Sequence, residues 1–125
     1  MAEMSNGKFC WNELATTDAA GSATFYGQLF GWTTADSQLE GVKYVRFKKD
    51  GQDVGGMIQM DARWGGVRPH WMSYVSVADV DATAGRVAGL GGKVCVPPTD
   101  IPNVGRFAML EDPSGAVLSI IQWKA

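Results

Sequence analysis

The 125-residue sequence is poor in residues that bind metals or form disulfides: it holds one histidine, His70, and two cysteines, Cys10 and Cys95. Two cysteines this far apart do not match the spacing of a zinc finger. Both lie in apolar runs typical of strands, which predicts reduced, buried thiols that pack as small hydrophobic side chains. We therefore expect neither a zinc finger nor a disulfide framework.

The sequence also lacks a strong charge of either sign and any long apolar run, since its formal net charge is −2. The densest positive cluster, Arg46, Lys48 and Lys49, is short and typical of a solvated strand edge rather than of a nucleic-acid surface. The apolar runs are too short to cross a membrane, and the N-terminal residues lack the apolar core of a signal peptide. These absences predict a cytoplasmic protein that binds neither nucleic acid nor membrane.

What the sequence does contain is an internal repeat. A shift of 61 residues places 16–32 on 77–93 and Asp18 on Asp79. In each half an apolar strand precedes this aspartate, which is suited to cap the N-terminus of a helix. A segment of about 12 residues with helical spacing of apolar side chains follows, and a glycine ends it. Each half is therefore predicted to begin with a strand and a helix.

Three further short strands follow each predicted helix, with turns at Asp50-Gly51 and at 111–115. The predicted strands are 8–15, 31–37, 42–49 and 54–60 in the first half and 71–77, 92–96, 105–111 and 116–123 in the second. Such a β-α-β-β-β unit is too small to bury its own sheet, so two must pair. The sequence thus predicts one α+β domain whose two modules, about 8–60 and 71–123 with a linker at 61–70, form a curved, half-open mixed sheet around a cleft.

The segments FYGQLFGW (25–32), VADVDATAGRVAGLGGKV (77–94) and GRFAMLEDPSGAVLSII (105–121) resemble the glyoxalase I, bleomycin-resistance and extradiol-dioxygenase superfamily, also called the vicinal oxygen chelate superfamily. Within it, the sequence is most similar to the glyoxalase-like or hydroxylase-like branch. The resemblance implies paired modules around a cleft. It also implies that enzymes of the family bind a divalent metal there, through His, Glu or Gln on the first and last strand of each module.

Carried onto this sequence, the four metal-ligand positions of the family fall on Trp11, Met72, Ser119 and either Met57 or Ile58. None of these side chains is a suitable ligand for Zn²⁺, Fe²⁺ or Ni²⁺, which need several imidazole, thiolate or carboxylate groups together. The resemblance therefore supports the fold but argues against the metal chemistry of the family. We expect no metal and no other cofactor.

Three side chains are candidates for acid–base chemistry. Glu13 lies two residues after Trp11 and is expected to point the same way, into the cleft. Its repeat partner is Tyr74, which can donate or accept a hydrogen bond. His70 can exchange a proton near neutral pH, but Pro69 before it suggests that the strand begins later and leaves His70 at the rim.

Together these positions predict a protein that binds a hydrophobic or planar small molecule in the central cleft without a metal. Arg106, at the end of a loop predicted over 97–106, is expected to meet an anionic group of the ligand. The predicted ligand-binding residues are Trp11, Glu13, Met57, Ile58, Met72, Tyr74, Arg106 and Ser119. The alternative is an enzyme of the same fold, a lyase, isomerase or hydroxylase-like protein, that uses Glu13, Tyr74 or His70 or an atypical metal site. Under either hypothesis we expect a homodimer.

Overall fold

The computed structural model describes residues 6–37 and 44–124, and within these ranges the chain forms eight strands and two α-helices. They are β1 (Lys8–Thr16), α1 (Ala19–Phe30), β2 (Thr33–Ser37), β3 (Tyr44–Lys49), β4 (Gln52–Gln59), β5 (His70–Ser76), α2 (Val80–Val87), β6 (Lys93–Ile101), β7 (Gly105–Glu111) and β8 (Val117–Trp123). This order confirms the two predicted β-α-β-β-β repeats. The start of the strand predicted at 42–49 lies outside the described residues. In the described ranges no helix has the length and apolar character needed to cross a membrane.

The chain separates into two compact units. Module one comprises Trp11–Met72, and module two comprises the described residues up to Cys10 together with those from Ser73 onward. The segment predicted as a linker, 61–70, falls inside module one, where Ala62–Trp64 form a short 3-10 helix.

Module one is a four-stranded mixed sheet in the order β2-β3-β4-β1, with α1 packed on one side. β2, β3 and β4 pair antiparallel, and β4 pairs parallel to β1. The predicted helix boundaries are confirmed, because the Asp18 side chain accepts from the Gly21 amide and Gly31 ends α1 in a left-handed conformation. The core combines aromatic and sulfur-containing side chains with aliphatic ones. Its buried residues are Leu14, Val45, Phe47 and Met57, and Ala19, Ala23, Tyr26 and Trp32 pack against them.

Module two repeats the arrangement with a different core. β5 pairs parallel to β8, and β8, β7 and β6 pair antiparallel in that order. The Asp79 carboxylate accepts from the Ala82 amide and caps α2, as predicted. The core of module two is aliphatic. Its buried residues are Val80, Ala84, Ala108 and Ile120, and Val75, Val77, Val94 and Leu110 pack against them.

Two features of module two differ from the sequence prediction. β6 continues to Ile101, whereas 97–106 was predicted as a loop. The strand tolerates Pro97 and Pro98 because it is the edge strand of this sheet. On the outward side of an edge strand there is no neighbouring strand to accept a hydrogen bond, so a proline that lacks an amide hydrogen there costs no bond. The edge position also leaves Cys95 exposed, so the prediction that both thiols are buried is wrong for Cys95 and only partly met by Cys10.

Candidate ligand-binding site

β1 presents two chemically different sides. Leu14 lies in the core beneath α1, and Trp11 and Glu13 project from the opposite side because side chains alternate along a strand. β4 runs beside it with Leu14 opposite Met57, which is 2% exposed and belongs to the same core. Ile58 therefore shares the side of Glu13, and Met57 is removed from the candidate ligand-binding residues. This settles the register that the sequence left open.

Tyr44, which is not among the predicted site residues, connects Trp11 and Glu13. It extends from β3 across β4 at Gly56, where any Cβ atom would overlap the phenol ring. Its Oη accepts a hydrogen bond from the Trp11 indole Nε1 at 2.8 Å and lies within hydrogen-bonding reach of the Glu13 carboxylate. We call this side of the module-one sheet the Tyr44 face; it carries Trp11, Glu13, Tyr44, Arg46 and Ile58.

The Tyr44 phenol is held in its neutral form. Burial is the main cause that raises the pKa of Tyr44 far above its ordinary value, and the negative charge of Glu13 raises it further. The hydrogen bond from Trp11 acts in the opposite direction and is weaker. The neutral phenol can therefore accept from Trp11 and donate to the Glu13 carboxylate at the same time.

An ion-pair cluster lies next to the phenol on the Tyr44 face. The Nε of Arg46 donates to Ser37 Oγ at 3.1 Å, and one terminal nitrogen donates to Asp53 at 3.0 Å. The ammonium of Lys48 donates to the same carboxylate at 2.8 Å. The hydrogen bond from Lys48, followed by that from Arg46, lowers the pKa of Asp53. Two contacts fix the guanidinium, and its remaining terminal nitrogen has no protein partner among residues 6–37 and 44–124.

In module two, Tyr74 and Ser119 are neighbours across the parallel pair β5 and β8. Both are buried, with 8% and 0% of their surface exposed. The Ser119 hydroxyl has no hydrogen-bond partner within the described part of the chain. Met109 lies opposite Ser119 on the other neighbouring strand. The sheet around the Ser119 position is therefore closely packed and less polar than the Tyr44 face.

Arg106 does not hang over a cleft from a loop, as predicted. It lies on β7 and projects to the side of α2, where its guanidinium bonds Asp81 at 2.8 Å and 3.0 Å and Asp100 at 3.0 Å. These contacts raise the pKa of Arg106 and lower that of Asp81. Because β7 alternates, Arg106 points away from the side of Ser119. Its guanidinium forms these ion pairs within module two, on the side of α2.

His70 is the first residue of β5, so the expectation that the strand begins after it is wrong. Pro69 is compatible with this start because it lies just outside the strand. The His70 Nδ1 lies 2.7 Å from the Arg68 carbonyl oxygen. The side chain lines a groove on the α1 side of module one, whereas Glu13 is on the Tyr44 face. Met72, two residues further, is 6% exposed.

The residues at the metal-ligand positions of the family do not fit a divalent metal. With the register known, these positions are Trp11, Ile58, Met72 and Ser119, and they offer a single hydroxyl and no imidazole or carboxylate. Across residues 6–37 and 44–124 no three His, Cys, Asp or Glu side chains cluster closely enough to hold an ion. Glu13 is directed to Tyr44 instead.

The sequence matches a known family over most of its length. The model of the Glyoxalase/Bleomycin resistance protein/Dioxygenase superfamily matches residues 9–120. The chain belongs to this superfamily. A methylmalonyl-CoA epimerase of Streptomyces coelicolor, solved with 2-nitronate-propionyl-CoA, covers 97% of the chain and 100% of its own length at 20% identity and a TM-score of 0.66. A hypothetical protein of Bacillus halodurans matches at 14% identity and a TM-score of 0.70, with 97% of both chains covered. These structures confirm the predicted glyoxalase-like α+β fold.

Two curated relatives have higher sequence identity. "Putative glyoxylase CFP32" of Mycobacterium bovis is 40% identical over 117 residues, which are 93% of this chain and 44% of that protein. The anthracycline biosynthesis protein DauV of a Streptomyces species is 33% identical over 133 aligned residues, which span 96% of this chain and 48% of that protein. The chain therefore spans less than half the length of these curated relatives.

Proposed function

We propose that the chain is a small-molecule-binding member of the superfamily that holds its ligand on the Tyr44 face without a metal. The observation that carries the proposal is that other residues replace the metal-binding side chains of the family. Trp11 and Ile58 stand at the two metal-ligand positions of module one, and a network of hydrogen bonds from Trp11 through Tyr44 to Glu13 lies beside them. Recognition by stacking and hydrogen bonding takes the place of chelation.

The Tyr44 face has the chemical groups that a planar, oxygenated ligand needs. The half-buried indole of Trp11 offers an aromatic surface, and the Glu13 carboxylate accepts hydrogen bonds from hydroxyl groups. The terminal nitrogen of Arg46 that has no partner among the described residues can donate to a carbonyl, phenolate or carboxylate oxygen. Few polar groups set around an apolar or aromatic surface are the usual composition of a small-molecule site. The ligand class we propose is a flat aromatic compound with hydroxyl and carbonyl groups.

The relatives support the choice of compounds to test. DauV and its relative DnrV of Streptomyces peucetius are named for anthracycline biosynthesis, and anthracyclines are planar, polycyclic and hydroxylated. This link supports polycyclic hydroxyquinones as the first compounds of a binding panel. It does not transfer their substrates to this chain, which spans less than half of those proteins.

Isothermal titration calorimetry with hydroxyanthraquinones tests the proposal. Protein treated with a chelator and protein supplied with Zn²⁺, Mg²⁺ or Mn²⁺ should bind with the same affinity. Tyr44→Phe should weaken binding by about 10-fold, because it leaves the Trp11 N–H and the Glu13 carboxylate without their shared partner. A requirement for added metal, or full affinity in Tyr44→Phe, would overturn the proposal.

A matched pair of arginine variants localises the site. Arg46 and Arg106 each bind two side chains and pair with aspartate, but only Arg46 lies on the Tyr44 face. Arg46→Gln should weaken binding of an acidic hydroxyquinone several-fold. Arg106→Gln should leave the affinity unchanged, provided that circular dichroism shows both variants folded.

The contact between Glu13 and Tyr44 also supports a second function, proton transfer within a bound ligand. The Glu13 carboxylate can act as a general base toward a bound ligand, and its hydrogen bond with the neutral Tyr44 phenol holds it in position. Glu13→Gln should then abolish conversion of a bound compound, followed by mass spectrometry, while calorimetry still detects binding. Conversion at the wild-type rate by Glu13→Gln would exclude this role.

A further inference from the structure

A groove of about 430 Å³ lies on the opposite side of module one from the Tyr44 face. Leu14 and Thr16 form part of it, and both project to the α1 side of β1. The N-terminal half of α1 and the segment 69–71 form its walls. Its volume is within the range of pockets that bind small molecules. We call it the outer groove.

The walls of the outer groove are aromatic and held in place. Phe25 and Trp71 line it with 57% and 41% of their surface exposed. The Trp71 indole Nε1 donates to Tyr26 Oη at 3.1 Å, and the Tyr26 ring packs edge-on against both, with centroids 5.0 Å and 5.5 Å away. Two exposed rings are thus fixed by a third before any ligand arrives, which lowers the entropy lost on binding.

The polar groups of the outer groove are mostly acceptors. The Thr16 and Ser22 hydroxyls bond each other at 2.9 Å, and Thr16 also accepts from the Asp18 amide. The Arg68 carbonyl can only accept a hydrogen bond, so the neutral His70 ring carries its hydrogen on Nδ1 and keeps an acceptor lone pair on Nε2. The Asp18 carboxylate is exposed and also lines the groove.

The charge of the outer groove favours a cation. Among the described residues that line it, Asp18 is the one with a formal charge when His70 is neutral. Three of the first four amides of α1 already have acceptors within the chain. Ala19 N donates to Gln59 Oε1, Gly21 N donates to the Asp18 carboxylate, and Ser22 N donates to the Asp18 carbonyl. This use of the amides leaves the N-terminus of α1 with less hydrogen-bonding capacity for an anion.

We propose that the outer groove is a second binding site, separate from the Tyr44 face, for small aromatic cations. The flat part of the ligand lies against Phe25 and Trp71, and its ammonium group lies near the Asp18 carboxylate. A cation beside aromatic rings is also attracted by their negative faces. Neutral and anionic compounds of the same shape lack both the attraction to the Asp18 carboxylate and the attraction of a cation to the ring faces.

A matched series of indoles tests the proposal by ¹H–¹⁵N NMR titration of the whole chain. Tryptamine carries a cation, 3-methylindole is uncharged, and indole-3-propionate carries an anion. Tryptamine should bind at least about 10-fold more tightly than indole-3-propionate. It should shift the Trp71 indole N–H and the Gly21 and Ser22 amides, while the Trp11 indole N–H stays in place.

Two related aspartates provide the control. Asp18→Asn removes the charge but keeps the N-cap, since asparagine caps helices as well as aspartate does. This variant should lose the preference for tryptamine over 3-methylindole. Asp79→Asn changes the equivalent cap of α2 and should keep the preference. The proposal is wrong if tryptamine does not bind, if the anion binds equally well, or if Asp18→Asn keeps the preference.

Discussion

The two modules repeat the same order of strands and helix, but their cores are built from different side chains. In module one, Phe47 is fully buried among aromatic rings, with Trp32 at 5.1 Å and Tyr26 at 5.9 Å between centroids. In module two, the fully buried Val80 packs with aliphatic side chains. The repeat therefore conserves the backbone arrangement and not the packing.

This difference accounts for where the candidate sites lie. The rings of α1 are too large to be covered by one small sheet, and none of the residues of this helix is fully buried. Phe25 and Tyr26 of this helix line the outer groove together with Trp71 of β5, and the opposite side of the same sheet carries the hydrogen bonds of the Tyr44 face. α2 buries Val80 and Ala84 against its own sheet, and the Ser119 side is closely packed. Both proposed sites consequently belong to module one.

The largest expected effect is on the aromatic core. Phe47→Ala should lower the free energy of unfolding by about 3–5 kcal/mol, because it removes a fully buried ring from a cluster of rings. Val80→Ala should cost about 2 kcal/mol, since it removes a smaller aliphatic group. Urea denaturation followed by circular dichroism measures both values. Equal losses would contradict the contrast between the two cores.

Alanine substitutions at two glycines, Gly105 in module two and Gly56 in module one, should reduce stability by different amounts. A Cβ atom at Gly105 would meet the backbone of Gln122 and Trp123, which cannot move without distorting β8. Gly105→Ala should therefore destabilise the protein by about 2–3 kcal/mol. The three atoms nearest to a Cβ atom at Gly56 all belong to the Tyr44 side chain, whose ring can rotate away, so Gly56→Ala should cost less, about 1 kcal/mol.

Thermal and urea unfolding of the two glycine variants should show this order of stability. Gly56→Ala should nevertheless lose binding of hydroxyanthraquinones, because the displaced phenol no longer connects Trp11 and Glu13. Gly105→Ala should retain binding at temperatures where it is folded. Normal binding by Gly56→Ala would show that the position of the phenol is unimportant.

Because the pKa of Tyr44 is raised in folded module one, the free energy of unfolding should decrease at alkaline pH. The stabilising contribution of Tyr44 is complete below the ordinary phenol pKa of about 10. It decreases as the pH rises above that value, because the unfolded chain loses the proton more readily than the folded one. Tyr44→Phe should flatten this alkaline decrease. Chemical denaturation between pH 9 and pH 11 measures it, and an unchanged slope would contradict the buried, neutral phenol.

The smallest expected effect concerns the surface ion pairs, Arg46 with Asp53 in module one and Arg106 with Asp81 in module two. Both aspartates have a pKa lowered by hydrogen bonds from their basic partners. Their contribution is present above the ordinary carboxylate pKa and disappears as the pH falls through the folded value. All four side chains are substantially exposed, so the contributions are small and screened by salt.

Asp81→Asn and Asp53→Asn test this acid dependence. At low salt, the melting temperature of each variant should fall slightly less between pH 5 and pH 3 than that of the wild type. This difference should disappear in about 1 M salt, where charges are screened beyond about 3 Å. A large change from either variant would show that the ion pair is more than a surface contact.

Local features were predictable from the sequence because their causes are local. Asp18 and Asp79 cap their helices through contacts three residues away, and the Asp50-Gly51 turn follows from residues that tolerate positive φ. The alternation of β1 also identified the side shared by Trp11 and Glu13. Arg106 was misplaced because two of the contacts that fix its position are distant in sequence: Gln122, its partner on β8, is 16 residues away, and Asp81 is 25 residues away.

By itself, the sequence determined the repeat, the order of the elements, the family and the absence of suitable metal ligands at the matched positions. The tertiary structure decided which side chains share a surface. β3 and β4 pair with Lys48 opposite Asp53 but Phe47 opposite Gly55, so Val54 is an extra residue in the ladder. This bulge places Tyr44 opposite Ile58 and Arg46 opposite Gly56, on the side of Glu13. A one-residue change in register reverses the side of every following side chain, and the pairing that sets it becomes visible only in the folded sheet.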